Sequence, residues 1–454
     1  MKKILSRLCG VLLVPLGLAA AQGAHAKSID FDARLGTPVV QAGRAQTTFL
    51  KVALTGFELQ AQGERPLANV AIVIDKSGSM GGERIERAKE AAIMAVNTLQ
   101  SNDIVSVVAF DNTVEVVTPA TKVSDKERIA RAIRGIYVNG GTGLFAGVSK
   151  GAAEVRKFLD KNRVNRVILL SDGQANIGPS SPAELGQLGA TLARQGMSVT
   201  TIGLGRDYNE DLMTQLASYS DGNHMFVDNS RDLALIFQRE FGDVGSVVAQ
   251  EVEVTIRLKP GIRPIRILGR EGEISDGVVR LRMSQLYSQQ EKYVVLEVAV
   301  PARKAGQSMD LADVDVSYLN MQSKSTERMN RTVNVSFSDS EQAVASATDK
   351  KTMISAVQQV ANEKSKDALR LRDEGKLEEA KKVLEENRSY LSTNAAALGS
   401  AGAPAPVLQE MEASTKAQAS KMESKDSAEW KASRKSIKAD QYKLLIQKAN
   451  ISLD

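Results

Sequence analysis

The residues of this chain whose types and spacing could do chemistry together are oxygen donors. Asp75-Lys76-Ser77-Gly78-Ser79 sets a carboxylate and two hydroxyls at alternate positions of one short loop. Such a set can converge on a hard cation if Gly78 lets the loop curl tightly. Two further loops add to it: Gly140-Gly141-Thr142-Gly143 stands between elements, and the apolar run Val167-Ile168-Leu169-Leu170 ends in Ser171-Asp172-Gly173. The same residues also have a purely structural reading, in which Asp75 and Ser77 cap the next helix while Thr142 and Asp172 start others.

Competing chemistries lack parts. Gly147-Val148-Ser149-Lys150-Gly151 spells a G-x-S-x-G nucleophile elbow, but an elbow needs a strand before its serine. Here a glycine-rich loop precedes it, and Leu144, Val148, Ala152, Val155 and Leu159 run through it at helical spacing. Apart from His25 the only histidine is His224, expected in a strand with its ring hydrogen-bonded rather than on a metal. A Ser-His-Asp hydrolase is therefore not supported. An aspartyl phosphotransferase would want a second acid two residues after Asp75, where Ser77 stands.

The elements that must hold these loops alternate. Val70–Ile74 reads as a buried strand and about 82–100 as an amphipathic helix. Strands follow at 104–110, 113–118, 164–170, 197–204 and 224–228, with helices at about 124–135, 144–160, 182–195, 209–218 and 230–242, a pattern that predicts a mostly parallel sheet covered on both faces. On either side the period changes to two. Leu50, Val52 and Leu54 alternate with Lys51, Ala53 and Thr55, and alternation returns at Val252, Val254, Ile256 and Leu258 and again through Val335. The strands of 28–66 are too few to bury a core alone, so they are expected to complete a later antiparallel sandwich. Beyond 340, an αα-hairpin broken at Gly375 resembles one tetratricopeptide-type unit that must pack on something.

The expected organisation is a signal peptide over 1–26, sandwich strands over 27–67, an α/β domain over 68–245, the sandwich proper over 246–340, the hairpin over 341–393, a linker over 394–406 and a charged helix or tail over 407–454. The fold class is α/β: a doubly wound, mostly parallel sheet inserted in an antiparallel β-sandwich and followed by a C-terminal α-helical region. Trp430, Ile437 and Leu444 form one stripe of the tail, suited to docking on the protein's own body, on a partner helix or on a membrane surface.

Composition bounds the function. With 454 residues, 43% hydrophobic and 25% charged, the chain can bury several cores. Aromatics, at 4%, are too scarce for a base-stacking platform. Lys2, Lys3 and Arg7 precede an apolar run from Leu8 to Ala21, and Ala24-His25-Ala26 offers a signal-peptidase site. Its removal leaves 56 Lys and Arg against 54 Asp and Glu, a poor charge balance for binding nucleic acid. It also takes away Cys9, the only cysteine, so disulfides and thiolate metal sites are not expected. No later apolar run approaches a membrane span.

Over about 68–245 the three loops resemble the von Willebrand factor type A domain with its metal-ion-dependent adhesion site. The resemblance implies that Ser77, Ser79 and Thr142 ligate Mg²⁺ or Mn²⁺ (Ca²⁺ being possible) directly, with Asp75 and Asp172 acting through water. Hydroxyl and water ligands leave such an ion poorly neutralised, so it favours one more anionic oxygen. The implied function is an exported, periplasmic or extracellular, non-enzymatic adhesion module that recognises an Asp or Glu of a protein partner. The alternatives are a structural or envelope assembly factor acting through the C-terminal helices, with the metal mainly structural, and a metal-dependent hydrolase. In this family the last helix of the domain, here about Arg231–Phe241, can shift on ligand binding.

Overall fold

The computed structural model describes residues 27–59, 65–205, 208–227, 233–399, 404–422 and 427–447. The expected signal peptide, 1–26, lies outside these described residues. Strands β1 (Asp30–Leu35), β2 (Val39–Gln41) and β3 (Gln46–Thr55) come first, and their partners lie beyond the α/β unit.

That unit begins with β4 (Leu67–Asp75), which is buried from Ala68 onward. Helices cover both its faces, so it carries a continuous apolar run rather than an alternation. There follow α1 (Glu83–Thr98), β5 (Ile104–Phe110), β6 (Val114–Lys122), α2 (Lys126–Arg134), α3 (Leu144–Arg156), β7 (Arg163–Ser171), α4 (Pro182–Arg194), β8 (Ser198–Leu204), α5 (Glu210–Tyr219), β9 (His224–Val227) and α6 (Leu233–Gly245). Strand order is β6-β5-β4-β7-β8-β9, parallel except for β6, which runs antiparallel to β5. The chain leaves β4 for one side of the sheet and returns on the other. The crevice beyond the carboxyl end of β4 is therefore a topological switch point.

Helix α3 crosses this sheet closely. A Cβ on Gly147 would stand 2.5 Å from Phe110, and one on Gly151 2.4 Å from Val73. The glycines of the elbow-like motif are thus packing residues, and Ser149 lies mid-helix.

After α6 come β10 (Val247–Leu258), β11 (Arg263–Leu268), β12 (Glu273–Ser275), β13 (Val278–Tyr287), β14 (Glu291–Val300), β15 (Ser308–Asn320) and β16 (Thr326–Ser338). They form two sheets, β1-β3-β14-β11 and β12-β13-β10-β15-β16-β2. Pairing is antiparallel except between β16 and β2. Leu50, Val52 and Leu54 share one core with Val252, Val254, Ile256, Leu296 and Val298. The N-terminal strands therefore belong to both sheets, and the α/β unit is inserted between them and the rest of the sandwich.

Among the described residues, four helices follow the short α7 (Glu341–Ala347): α8 (Lys350–Asp373), α9 (Leu377–Leu398), α10 (Pro406–Met422) and α11 (Ser427–Ile446). Ala356 and Val360 of α8 pack on Ala53, Leu268, Tyr293 and Val295, which buries the outer face of the first sheet. Two expectations need correction here. The linker starts later than 394, because Ala395 and Leu398 continue α9 and pack against Ala405 and Leu408. Within its described residues the tail forms two helices rather than one. Ser365 hydrogen-bonds both Gln418 (3.1 Å) and Gln441 (2.9 Å), residues that would stand about 35 Å apart in a continuous helix. Ile437 is buried and Trp430 receives Arg372 at 4.7 Å from its ring, so the tail stripe lies on the protein's own body. Among the described residues no helix is long and apolar enough to cross a membrane.

Candidate metal centre

Asp75 ends β4 at the switch point, wholly buried. Its Oδ1 accepts from the Ser77 N–H at 2.8 Å, which turns the chain and brings both serines to one side. Its Oδ2 accepts from the Ser171 hydroxyl at 2.5 Å, and Ser171 Oγ in turn accepts from the Gly173 N–H at 2.8 Å. Asp75 thus ties the loop after β4 to the loop after β7. Burial pushes its carboxyl up to about 6 against the lowering effect of the Ser171 and Ser77 hydrogen bonds, and nearby Asp172 adds to the rise. A cation at this place would favour the ionised form instead.

The second loop is fastened to the first by the Gly78 N–H donating to the Gly140 carbonyl at 3.0 Å and the Asn139 N–H to the Lys76 carbonyl at 2.7 Å. It is fastened to the third by Thr142, whose N–H donates to Asn176 Oδ1 at 2.8 Å and whose carbonyl accepts from the Asn176 N–H at 3.1 Å. Ser77, Thr142 and Asp172 are buried, whereas Ser79 is exposed. All five sequence candidates therefore lie on three loops that are hydrogen-bonded to one another at one end of the sheet. The loop curls as a single 3-10 turn over Gly78–Met80 without a left-handed backbone at Gly78, whereas Gly140 is left-handed at φ +65°. Sequence reasoning also missed Ser171, Asn176 and Arg84, whose roles depend on contacts between distant loops.

Two observations test whether these residues fit a cation. The Ser77 and Ser79 hydroxyl oxygens are 3.2 Å apart, close to the ~3 Å separating adjacent ligands of an octahedral Mg²⁺. Both carboxylate oxygens of Asp172 are buried with no hydrogen-bond donor, and the nearest cation, Arg84 Nη1, is 3.7 Å away. A buried carboxylate without donors is costly, and a divalent ion would offset that cost. The donors are hard oxygens, which suit Mg²⁺, Mn²⁺ or Ca²⁺. Among the described residues, no group of three His, Cys, Asp or Glu offers another metal site.

His224 stands apart from this centre. Its Nδ1 pairs with the Thr201 hydroxyl at 2.8 Å and its Nε2 with the Tyr208 hydroxyl at 3.1 Å, while burial pushes its pKa down to about 3 from the ordinary 6.5. The folded protein keeps it neutral, but the unfolded chain takes up the proton below about pH 6.5. Its contribution to stability is complete above that pH and is lost as pH falls toward 3, by up to about 1.4 kcal/mol per unit. Urea midpoints measured from neutral pH downward should fall less steeply in His224→Gln than in the wild type.

Residues 69–239 match the von Willebrand factor type A domain. The protein sll0103 of Synechocystis sp. is 25% identical over 260 residues, 55% of this chain and 61% of that protein, so the chain spans less than two thirds of this relative. Among solved structures, a von Willebrand factor type A protein from Catenulispora acidiphila is similar with a TM-score of 0.65 at 16% identity, over 82% of this chain and 88% of that one. The ArnB paralog VWA2 from Sulfolobus acidocaldarius gives 0.61 at 17% identity, over 90% and 98%. At such identities the likeness concerns the fold, and its coverage extends it beyond the α/β unit.

Proposed function

We propose that the von Willebrand factor type A domain over residues 69–239 serves in this protein as an exported, non-enzymatic binding module that captures an acidic side chain of a protein partner through Mg²⁺ or Mn²⁺. Asp75, Ser77, Ser79, Thr142 and Asp172 would hold the ion, which when bound supplies a Lewis-acidic position for a carboxylate oxygen. The observation that carries this reading is the donor-less carboxylate of Asp172 beneath loops whose rim bears exposed apolar residues. Tyr137 is 78% exposed, and Val138 and Ile177 are also exposed. Tyr137 and Val138 lead into the Gly140–Thr142 loop, and the Ile177 N–H donates to the Thr142 carbonyl at 3.3 Å. Exposed large apolar side chains grouped beside a site mark a surface suited to binding another protein. Export is supported by the basic start, apolar run and Ala-His-Ala site of the first 26 residues.

The test is a pull-down of the mature protein against a cell-envelope or extracellular fraction. A partner retained in Mg²⁺ and lost both in EDTA and with Asp75→Ala supports the proposal. Retention that survives both treatments favours the rival reading, an assembly factor working through the docked C-terminal helices.

A further inference from the structure

Arg84 lies in the first turn of α1 and points its guanidinium at the metal centre rather than along its helix. The acids of that helix are taken by other bases: Arg87 pairs with Glu83 at 3.4 Å and Glu90 at 2.7 Å, and Lys89 pairs with Glu86 at 2.7 Å. Arg84 Nη1 instead donates to the Ser79 carbonyl at 3.2 Å and stands 3.7 Å from Asp172 Oδ2. That is ion-pair distance without a hydrogen bond, which leaves the carboxylate unsatisfied and the guanidinium with donors to spare. The two differ in access, since the side chain of Arg84 is 32% exposed and that of Asp172 0%.

The chain also makes room for this group. Gly205, just past β8, has φ +78°, and a Cβ there would stand 2.6 Å from Nη2 and 2.9 Å from Cζ of Arg84. A glycine in left-handed backbone thus forms the wall of a slot for the guanidinium at the mouth of the centre.

We propose that Arg84 is a second cation of this centre, opposing the metal ion and joining it in holding the partner's carboxylate. This rests on the metal reading above. A fixed positive charge beside Asp172 competes with the divalent ion for that carboxylate and repels it. Its planar fork is also suited to a carboxylate, which can accept from it while the metal takes an oxygen. Arg84 would therefore lower metal affinity and raise affinity for an anion bound together with the metal, coupling the two ligands reciprocally.

The experiment measures Mn²⁺ binding to the full chain by electron paramagnetic resonance of the free ion, in chloride and in acetate at equal ionic strength, acetate being the carboxylate probe. In chloride, Arg84→Met should bind Mn²⁺ roughly fivefold or more tightly than wild type, fivefold being the lower bound that like unit charges about 4 Å apart give at the dielectric constant of bulk water. Acetate should tighten Mn²⁺ binding in the wild type, and Arg84→Met should lose most of that gain, keeping only the part that direct coordination by the metal supplies. Arg84→Lys keeps a charge without the fork, so it should retain the wild-type affinity in chloride and lose most of the acetate gain. Equal Mn²⁺ affinity in wild type and Arg84→Met, or an acetate gain unchanged in Arg84→Met, overturns the proposal. Absence of Mn²⁺ binding to the wild type overturns the metal reading itself, and the two failures are thereby told apart.

Discussion

Replacing Arg166 with methionine should destabilise the folded protein by about 3–5 kcal/mol, the cost of removing one partner from a buried charge pair. Arg166 is completely buried in β7. Its Nη1 pairs with Glu240 of α6 at 2.5 Å, its Nε donates to the Ser198 hydroxyl at 3.2 Å, and its Nη2 donates to the Tyr287 hydroxyl at 2.5 Å and to Gln285. Glu240 also accepts from Thr200 and, at 2.8 Å, from Asn223. Without Arg166 this carboxylate would remain buried with no cation to balance it.

The network spans two parts of the fold, since Gln285 and Tyr287 belong to β13 of the sandwich. The double variant Arg166→Met/Glu240→Gln should recover part of the loss, because it removes both charges. Urea unfolding measures both effects. A loss for Arg166→Met within about 0.5 kcal/mol, the range of ordinary surface substitutions, would contradict this account of how α6 is held. The same contact bears on the expected mobility of the last helix, which runs Leu233–Gly245 and leads into β10 at Val247. Any shift of α6 must carry Glu240 away from Arg166.

The second large effect is stabilisation by metal. A ligand bound only by the native state, at a hundredfold excess over its Kd, adds about 2.7 kcal/mol. Adding Mg²⁺ or Mn²⁺ should therefore raise the melting temperature of the wild type, and Ser77→Ala/Ser79→Ala should lose the rise while keeping its metal-free stability close to wild type. An equal metal-induced rise in both proteins would remove the serines from the site.

Much of this arrangement was legible in the chain because its signals are local. A strand buried on both faces reads as the continuous apolar run of Val70–Ile74, and α3 shows its period through the misleading Gly147–Gly151 motif. The three loops could be found because Asp75, Ser77 and Ser79 follow the end of the first strand, and Asp172 the end of another. What was missed depends on residues remote in sequence. Nothing near Ser365 announces that Gln418 and Gln441 both reach it, so the tail looked like one helix. Tyr293 and Val295 are buried only because α8, remote in sequence, covers the outer face of their sheet. Arg84 reads only as the polar first turn of an amphipathic helix, and Ser171 as the end of a strand. Their places beside Asp172 and Asp75 come from the sheet topology.

The central claim, that Asp75, Ser77, Ser79, Thr142 and Asp172 hold one divalent ion, is tested most directly by isothermal titration calorimetry of Mg²⁺ or Mn²⁺ into the wild type and Asp172→Ala. The account predicts a single site per chain in the wild type and no measurable binding in the variant, with both proteins folded by circular dichroism. Metal binding of equal affinity and stoichiometry in the two would contradict it.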